Sequence, residues 1–273
     1  LAPIPWNGFQ PAIGDSFIIL RNDGTDAING TFLNAPEGAI FGGALNTAFR
    51  ITYLGGDGND IVITRVAKSN FDFDGDGKSD VAVFRPSNGV WYQLLSANDS
   101  FSAIGFGIAT DKIVPADYDG DNKTDVAVFR DGNWYYLRSS DATFASAAFG
   151  SSGDIPVPND YDGDGRADFA VFRPSNGTWY QLRSIANQFV SIQFGQNGDL
   201  PQIGDFDGDG LGDVTVYRSG NWYSQLSATN SFSATSFGIA ADKPVPADYD
   251  GDGKTDVAVY RDGNWYQLLS TNG

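Results

Sequence analysis

Short apolar runs return along the chain at a nearly fixed interval. Val81-Ala82-Val83-Phe84, Val126-Ala127-Val128-Phe129, Phe169-Ala170-Val171-Phe172, Val214-Thr215-Val216-Tyr217 and Val257-Ala258-Val259-Tyr260 each end in an arginine, at Arg85, Arg130, Arg173, Arg218 and Arg261. Val alternates with Ala and an aromatic residue, so the runs are apolar on both sides, the pattern of a strand covered on both faces. A turn follows, either Pro-Ser-Asn-Gly or Asp-Gly-Asn with its Ser-Gly-Asn variant. These are residues that turns favour. A second strand then carries Trp-Tyr at Trp91, Trp134, Trp179, Trp222 and Trp265. A third ends in Phe-Gly at Phe106, Phe149, Phe194 and Phe237, and a fourth, such as Ile113-Val114-Pro115, leads into the next unit. No helical apolar period is sustained anywhere.

Between the fourth strand of one unit and the apolar run of the next stands Asp-x-Asp-Gly-Asp-(Gly/Asn)-x-x-Asp. It begins at Asp72, Asp117, Asp160, Asp205 and Asp248, in steps of 45, 43, 45 and 43 residues. The longer and shorter turns account for the alternation. A period of this size with four short strands per unit predicts an all-β fold, a β-propeller of about five four-stranded blades over residues 67–273.

Four carboxylates within nine residues repel one another unless a cation neutralises them. In the first copy the acids stand at positions 1, 3, 5 and 9, as Asp72, Asp74, Asp76 and Asp80. Calcium takes six to eight hard oxygens, carboxylates and a backbone carbonyl among them. Position 7 is Lys78, Lys123, Arg166, Leu211 or Lys254, a variety that fits a site using only the carbonyl there. The remaining candidate ligands are Asp117, Asp119, Asp121 and Asp125; Asp160, Asp162, Asp164 and Asp168; Asp205, Asp207, Asp209 and Asp213; and Asp248, Asp250, Asp252 and Asp256. Position 6 is Gly77, Asn122, Gly165, Gly210 or Gly253, the residue types that tolerate a left-handed turn. Position 12 is a valine in every copy, so these are not EF-hands, whose loop closes on a bidentate Glu. About five calcium ions are expected. The competing reading is a set of Asp/Gly surface turns without metal.

The Phe-Gly dipeptide, the acidic loop and the Val-Ala-Val-Phe strand resemble the FG-GAP or VCBS-type repeat, the calcium-loop blade family that includes integrin-head propellers. The resemblance covers about residues 67–273. It implies a propeller with calcium in the loop joining the first two strands of each blade, and it implies no single activity, since such propellers serve adhesion, lectin and accessory roles.

Residues 1–66 lack the repeat and form a separate β-rich segment. Strands are expected at Gly14–Leu20, Gly30–Leu33, Phe49–Tyr53 and Ile61–Thr64. The stretch from Gly14 to Thr64 resembles the terminal unit of passenger-associated strand repeats in bacterial autotransporters, a β-solenoid end. Gly55-Gly56-Asp57-Gly58-Asn59-Asp60 also fits one calcium β-roll nonapeptide, but a single copy reads better as a hairpin turn. The fifth unit stops short of a Phe-Gly strand, and its open edge is expected to recruit an N-terminal strand, within the chain or between chains.

Composition narrows the function. The net charge is −17, and every acidic residue except Glu37 is an aspartate. Such a field repels phosphate backbones, so nucleic acid is not an expected partner. His and Cys are both absent, which removes the commonest general base and the thiol nucleophile. No catalytic residues are expected. No transmembrane run is present. Weak calcium loops need an external calcium pool, so an extracellular or surface location, in a secreted bacterial protein, is expected. The reading is a non-enzymatic structural or adhesive module. Its partner would be itself, head to tail, or a cell-surface protein or glycan. The alternative is a carbohydrate-binding module of a secreted polysaccharide-active protein. The repeated tryptophans read as blade core before sugar platforms. The repeated arginines read as strand-end residues paired with loop aspartates or backbone carbonyls.

Overall fold

The computed structural model describes residues 11–33, 35–42, 47–66 and 68–271. Five antiparallel sheets follow one another along the repeats. The second, third and fourth have four strands each: Lys112–Ile113, Val126–Arg130, Asn133–Leu137 and Phe144–Ala148; then Ile155–Pro156, Phe169–Arg173, Thr178–Arg183 and Gln188–Gln193; then Leu200–Gln202, Val214–Arg218, Asn221–Gln225 and Phe232–Ser236. In the second to fifth blades the acidic loop joins the first two strands. Among the described residues the first blade shows three strands, Val81–Arg85, Val90–Leu95 and Ser100–Gly105, and no leading strand. The fifth shows Lys243–Pro244, Val257–Arg261 and Asn264–Leu268, without the outermost strand. The fold is an all-β propeller. Among the described residues no helix is long and apolar enough to cross a membrane.

The shorter turns are tight hairpins. Asp131 and Gly132 take φ of 48° and 87°, and Ser219 with Gly220 and Asp262 with Gly263 do the same. Two successive positive φ values match the right-handed twist of the flanking strands.

One junction is repeated between blades. The Trp face of each blade packs on the Val face of the next: Trp91 on Val126 and Val128, Trp134 on Val171, Trp179 on Val214 and Val216, and Trp222 on Val259. Each of these indoles is at most 2% exposed, and its Nε1 donates to the carbonyl of the Phe-Gly phenylalanine at 2.9–3.0 Å. Strands Val126–Arg130 and Val214–Arg218 are therefore covered on both faces, as their pattern predicts. Strand Val81–Arg85 differs: among the described residues no blade packs on its Val face, and Val81 and Val83 are exposed.

The repeated arginines do not pair with the acidic loops. Arg130 Nε and Nη2 donate to the two oxygens of Asp111 at 2.6 and 2.8 Å. Arg173 holds Asp154, Arg218 holds Asp199 and Arg261 holds Asp242 in the same way. These aspartates lie in the turn before each leading strand. Bidentate geometry suits a planar guanidinium, and it pins that turn to the Val strand. Burial acts to raise the Asp111 carboxyl, but Arg130 and the Ile108 N–H outweigh it, and the group titrates below the usual range.

The N-terminal segment folds into its own sheet, with Ser16–Leu20, Asp60–Val66, Ala48–Gly55 and Ile40–Gly42 in that spatial order. Gly30–Leu33 is not a strand and makes only an isolated bridge, Phe32 to Ala35; Ile40–Gly42 takes the edge instead. Gly55–Asp60 is a plain hairpin turn. All four strands pair with one another. Among the described residues the fifth blade's sheet holds only Lys243–Pro244, Val257–Arg261 and Asn264–Leu268, and Ser16–Leu20 pairs with Asp60–Val66 instead, so the expected closure of that blade by one of these strands is not made. The sheet touches the propeller at the acidic loops. Arg50 Nη2 donates to the Asp76 carbonyl at 3.1 Å.

Candidate metal centres

All five acidic loops fold alike. The carboxylate at position 1 is the internal scaffold. Asp72 Oδ1 accepts from the Gly75 N–H at 2.6 Å and Oδ2 from the Gly77 N–H at 2.8 Å. The same pair of bonds recurs at Asp117, Asp160, Asp205 and Asp248. These bonds require the chain to double back at position 6, where Gly77 has φ of 86° and Asn122 has φ of 67°. That is the left-handed geometry expected for Gly and Asn there. Position 3 accepts from the N–H of position 5, and position 5 from that of position 7, as in Lys78 to Asp76 at 2.9 Å.

Position 9 ties the loop to the blade. Asp168 Oδ2 accepts from the Tyr161 N–H at 2.9 Å, and Oδ1 from the Ser184 N–H at 2.7 Å. Ser184 stands at the end of the Trp strand, and its hydroxyl donates to Asp164 Oδ2 at 2.7 Å. Ser96, Ser139, Ser227 and Ser270 do the same in the other blades. These serines were missed in the sequence. The available signal was one Ser after each Trp strand, in all five units.

Positions 1, 3 and 9 converge in every loop. Ligand oxygens of Asp72, Asp74 and Asp80 lie within 4.8 Å of one another, and so do those of the triads headed by Asp117, Asp160, Asp205 and Asp248. Position 5, as Asp76, Asp121, Asp164, Asp209 or Asp252, is not in that cluster and is engaged by the serine hydroxyl instead. Lys78 stays beside Asp76 of its own loop, at 3.8 Å, whereas three of the side chains at position 7 reach the preceding loop. Lys123 crosses the preceding loop so closely that a Cβ on Gly75 would lie 2.8 Å from its Cε, and Arg166 and Lys254 cross Gly120 and Gly208 similarly. This fits a role for the position 7 carbonyl alone.

Gathering these acids has an electrostatic cost. Burial pushes Asp168 and Asp205 up to about 7, and Asp117, Asp125 and Asp213 up to about 6; Asp72 and Asp160 are raised for the same reason. A hard dication would remove the conflict, since it favours the ionised oxygens. Three converging carboxylates, a fourth engaged by the serine hydroxyl and the backbone carbonyls of the loop form an all-oxygen donor set, which suits calcium better than a soft metal. The residues present fit the ion.

Residues 72–128 and 160–216 match the FG-GAP-like repeat. No curated protein matches the sequence. Among solved structures, an inactive virginiamycin B lyase from Staphylococcus aureus, crystallised with quinupristin, is 8% identical, with 83% of this chain and 78% of that one covered, at a TM-score of 0.47. An Agrocybe aegerita lectin specific for non-reducing terminal N-acetylglucosamine is 15% identical over 84% and 72%, at 0.48. The Cps50 (Swd1) β-propeller domain of Myceliophteria thermophila is 8% identical over 90% and 87%, at 0.46. At such identity neither activity nor ligand carries across. The sequence match falls on the segments that hold the first four acidic loops and the strands behind them, and on that ground the chain is one that carries FG-GAP-like repeats.

Proposed function

We propose that the chain is a non-enzymatic, extracellular module in which calcium, bound at all five loops, rigidifies a propeller of structural or adhesive use. The observation that carries this reading is the fivefold recurrence of one triad of converging carboxylates. A catalytic site would have no reason to recur in every blade, whereas a structural ion would. Asp72, Asp74 and Asp80 and their equivalents would hold the metal, with position 7 carbonyls adding oxygens. The absence of His and Cys, and the commitment of the aspartates to metal and to loop hydrogen bonds, support a module without hydrolytic chemistry. Native mass spectrometry in millimolar calcium should count five bound divalent ions. Finding none would sink the reading, and so would polysaccharide cleavage that is lost on mutating one aspartate pair.

A second reading, a carbohydrate-binding module, is favoured by one observation. Phe101, Phe144, Phe189 and Phe232 on the outermost strands are 60–69% exposed. Each stacks one face on a tyrosine, at 6.1–6.2 Å between ring centroids, and an arginine lies over that tyrosine. Held aromatic rings at the rim of successive blades are a plausible sugar platform. The tryptophans are not, since four of them are core. A sugar-dependent rise in melting temperature, abolished by Phe144→Ala with Phe189→Ala, would move the assignment to this second reading.

A further inference from the structure

The junctions between blades are built from the same sequence positions, yet one is filled and the next is hollow. Between the second and third blades, Tyr118, Tyr136 and Phe169 stack on one another, with ring centroids 5.1, 5.4 and 6.1 Å apart. Arg166 crosses Gly120 of the preceding loop, and Ala167 follows it. One junction later Tyr161 keeps the place of Tyr118, but every other position is smaller. Gln181 stands for Tyr136, Val214 for Phe169, Leu211 for Arg166 and Gly212 for Ala167. The missing side-chain volume is a cavity of about 170 Å³ between the third and fourth blades, and all five of these residues line it. That is room for several waters or for one small organic molecule.

The cavity carries a cation. Arg183 lines it, on the same face of its strand as Trp179 and Gln181. Its Nε and Nη2 both donate to Gln181 Oε1, at 3.1 and 3.0 Å. Those two bonds fix the amide, and its Nε2 is left without a partner in a residue that is 0% exposed. The acceptor of this guanidinium is therefore neutral, whereas Arg130, Arg173, Arg218 and Arg261 each hold a carboxylate. Arg138 occupies the same place in the second blade and lies close enough to Asp141 to favour its charged form; Ala186 stands where that aspartate would be. In a chain of net charge −17, no acidic side chain lines the cavity among the described residues. The neighbouring loop acids are turned to backbone N–H groups: Asp168 to Tyr161 and Ser184, Asp213 to Phe206 and Ser227. From the fourth blade come Gln225 and Asn230, whose side chains are joined by a bond from Nε2 to Oδ1.

We infer that this cavity binds a small organic carboxylate, anchored by Arg183 while Gln181 holds the guanidinium in place. An anion is the fitting occupant because the wall offers N–H donors in excess and no acid. A guanidinium has five N–H donors, and with one edge held by Gln181 it still presents others in the fork that suits a carboxylate. An acceptor oxygen in the cavity would also relieve the buried Gln181 Nε2, which is costly to leave unpaired. Leu211, Val214 and Ile192 offer apolar contact to the body of the molecule, and Gln225 and Asn230 offer partners for hydroxyl groups. The class is therefore a hydroxylated monocarboxylate of about the size of a sugar acid. An unpartnered amide does not make such a site by itself. Gln93, in the first blade, also has an orphaned Nε2, but Leu95 stands there in the place of Arg183. The assignment goes beyond the structural role proposed above, and it rests on one junction rather than on the ions or the rim phenylalanines.

The test is isothermal titration calorimetry of the full chain in saturating calcium. The probes are D-glucuronate and the smaller L-lactate, with D-glucose as the neutral counterpart of the first. At least one carboxylate should bind at one site per chain, and glucose should bind at least about tenfold more weakly than glucuronate, the size of a lost charge-assisted contact. Arg183→Gln should weaken carboxylate binding by at least the same factor. Gln181→Glu gives Arg183 a carboxylate from its own chain, and it should block binding without lowering the melting temperature, which a merely damaged junction would lower. Gln181→Tyr with Val214→Phe copies the filled junction one blade earlier, and it should abolish binding while the protein still melts cooperatively. Phe144→Ala with Phe189→Ala should leave carboxylate binding unchanged. Neither carboxylate binding, equal affinity for glucose and glucuronate, or binding that survives Arg183→Gln or the filled junction would overturn the inference. So would loss of binding with the rim phenylalanines, which would place the carboxylate there. A failure of the calcium reading would show instead in the ion count, and would leave the comparison between wild type and Arg183→Gln to stand by itself.

Discussion

The same Trp→Ala substitution should have very different effects in different blades. Trp179 is fully buried, packs on Phe172 at 5.8 Å and on Val214 and Val216 of the next blade, and donates to the Phe194 carbonyl at 3.0 Å. A buried indole removes about 150–250 Å² from water. At about 25 cal/mol per Å² that amounts to roughly 4–6 kcal/mol. The orphaned carbonyl adds about 1 kcal/mol. Measured Trp→Ala costs of about 3–5 kcal/mol indicate that partial relaxation recovers some of this. Trp179→Ala should therefore cost about 4 kcal/mol. Trp265 is 58% exposed, so somewhat less than half of that area is at stake, and Trp265→Ala should cost about 2 kcal/mol. The assay is urea unfolding in saturating calcium at a concentration low enough to hold the protein monomeric, with m-values compared to confirm that the same unit unfolds. If the two substitutions cost the same, the difference in burial between Trp179 and Trp265 is refuted. A Trp179→Ala cost below about 1 kcal/mol would remove the inter-blade core itself.

Calcium removal should be severe. With dissociation constants of about 10⁻⁴–10⁻³ M and about 10 mM free ion, each site contributes roughly 1.4–2.7 kcal/mol. Summed over the array this rivals the whole stability of an ordinary domain, so chelation should lower the melting temperature by at least about 10 °C; differential scanning calorimetry that shows no change would contradict it. In the metal-free protein the folded carboxyls of Asp168 and Asp205, at about 7, and of Asp117, Asp125 and Asp213, at about 6, lie above the ordinary value. The folded state then binds protons more tightly than the unfolded one, and stability rises as pH falls through that window. Melting after chelation should be higher at pH 5.5 than at pH 8 and the calcium-induced gain larger at pH 8, whereas a flat or reversed dependence would refute the burial of these groups. Ser184→Ala removes the hydroxyl bond to Asp164 but keeps the backbone bond to Asp168. It should cost about 0.5–1.5 kcal/mol and weaken one ion several-fold, read as lost occupancy of a single site in a calcium titration by native mass spectrometry.

Much of this architecture was legible because each unit repeats its chemistry at fixed places. The loop positions, the left-handed turn at Gly77 and Asn122, the Val and Trp strands and the Phe-Gly ends all follow from local pattern. What stayed hidden depends on which neighbour is present. Val81 and Val126 stand in the same local sequence, yet one is open and the other buried, because among the described residues only the second has a Trp face packed on it. Arg130 could be placed at a strand end, but its partner Asp111 lies nineteen residues away in a turn with no motif of its own. The Gly30–Leu33 stretch has strand-like residues, but the hydrophobic edge that the sheet used was Ile40–Gly42. The serines after the Trp strands were visible as repeats and were passed over because one Ser at a strand end carries no signal by itself.

The hydrogen bonds around each loop show why an ion here would act on the array rather than on one turn. Asp168 holds its own loop through Tyr161 and the end of its Trp strand through Ser184. The next residue towards the N-terminus, Ala167, donates to the carbonyl of Asp117 in the blade before, and the Asp160 carbonyl accepts from Gly212 in the blade after. Any cation that neutralises Asp160, Asp162 and Asp168 therefore fixes three things together: the loop, the strand behind it and the register of both neighbouring blades. Where each repeated unit packs on its neighbours, stability gains unit and nearest-neighbour terms, and these loops sit where the two terms meet. Filling one site should stiffen the adjoining junctions as well as its own blade.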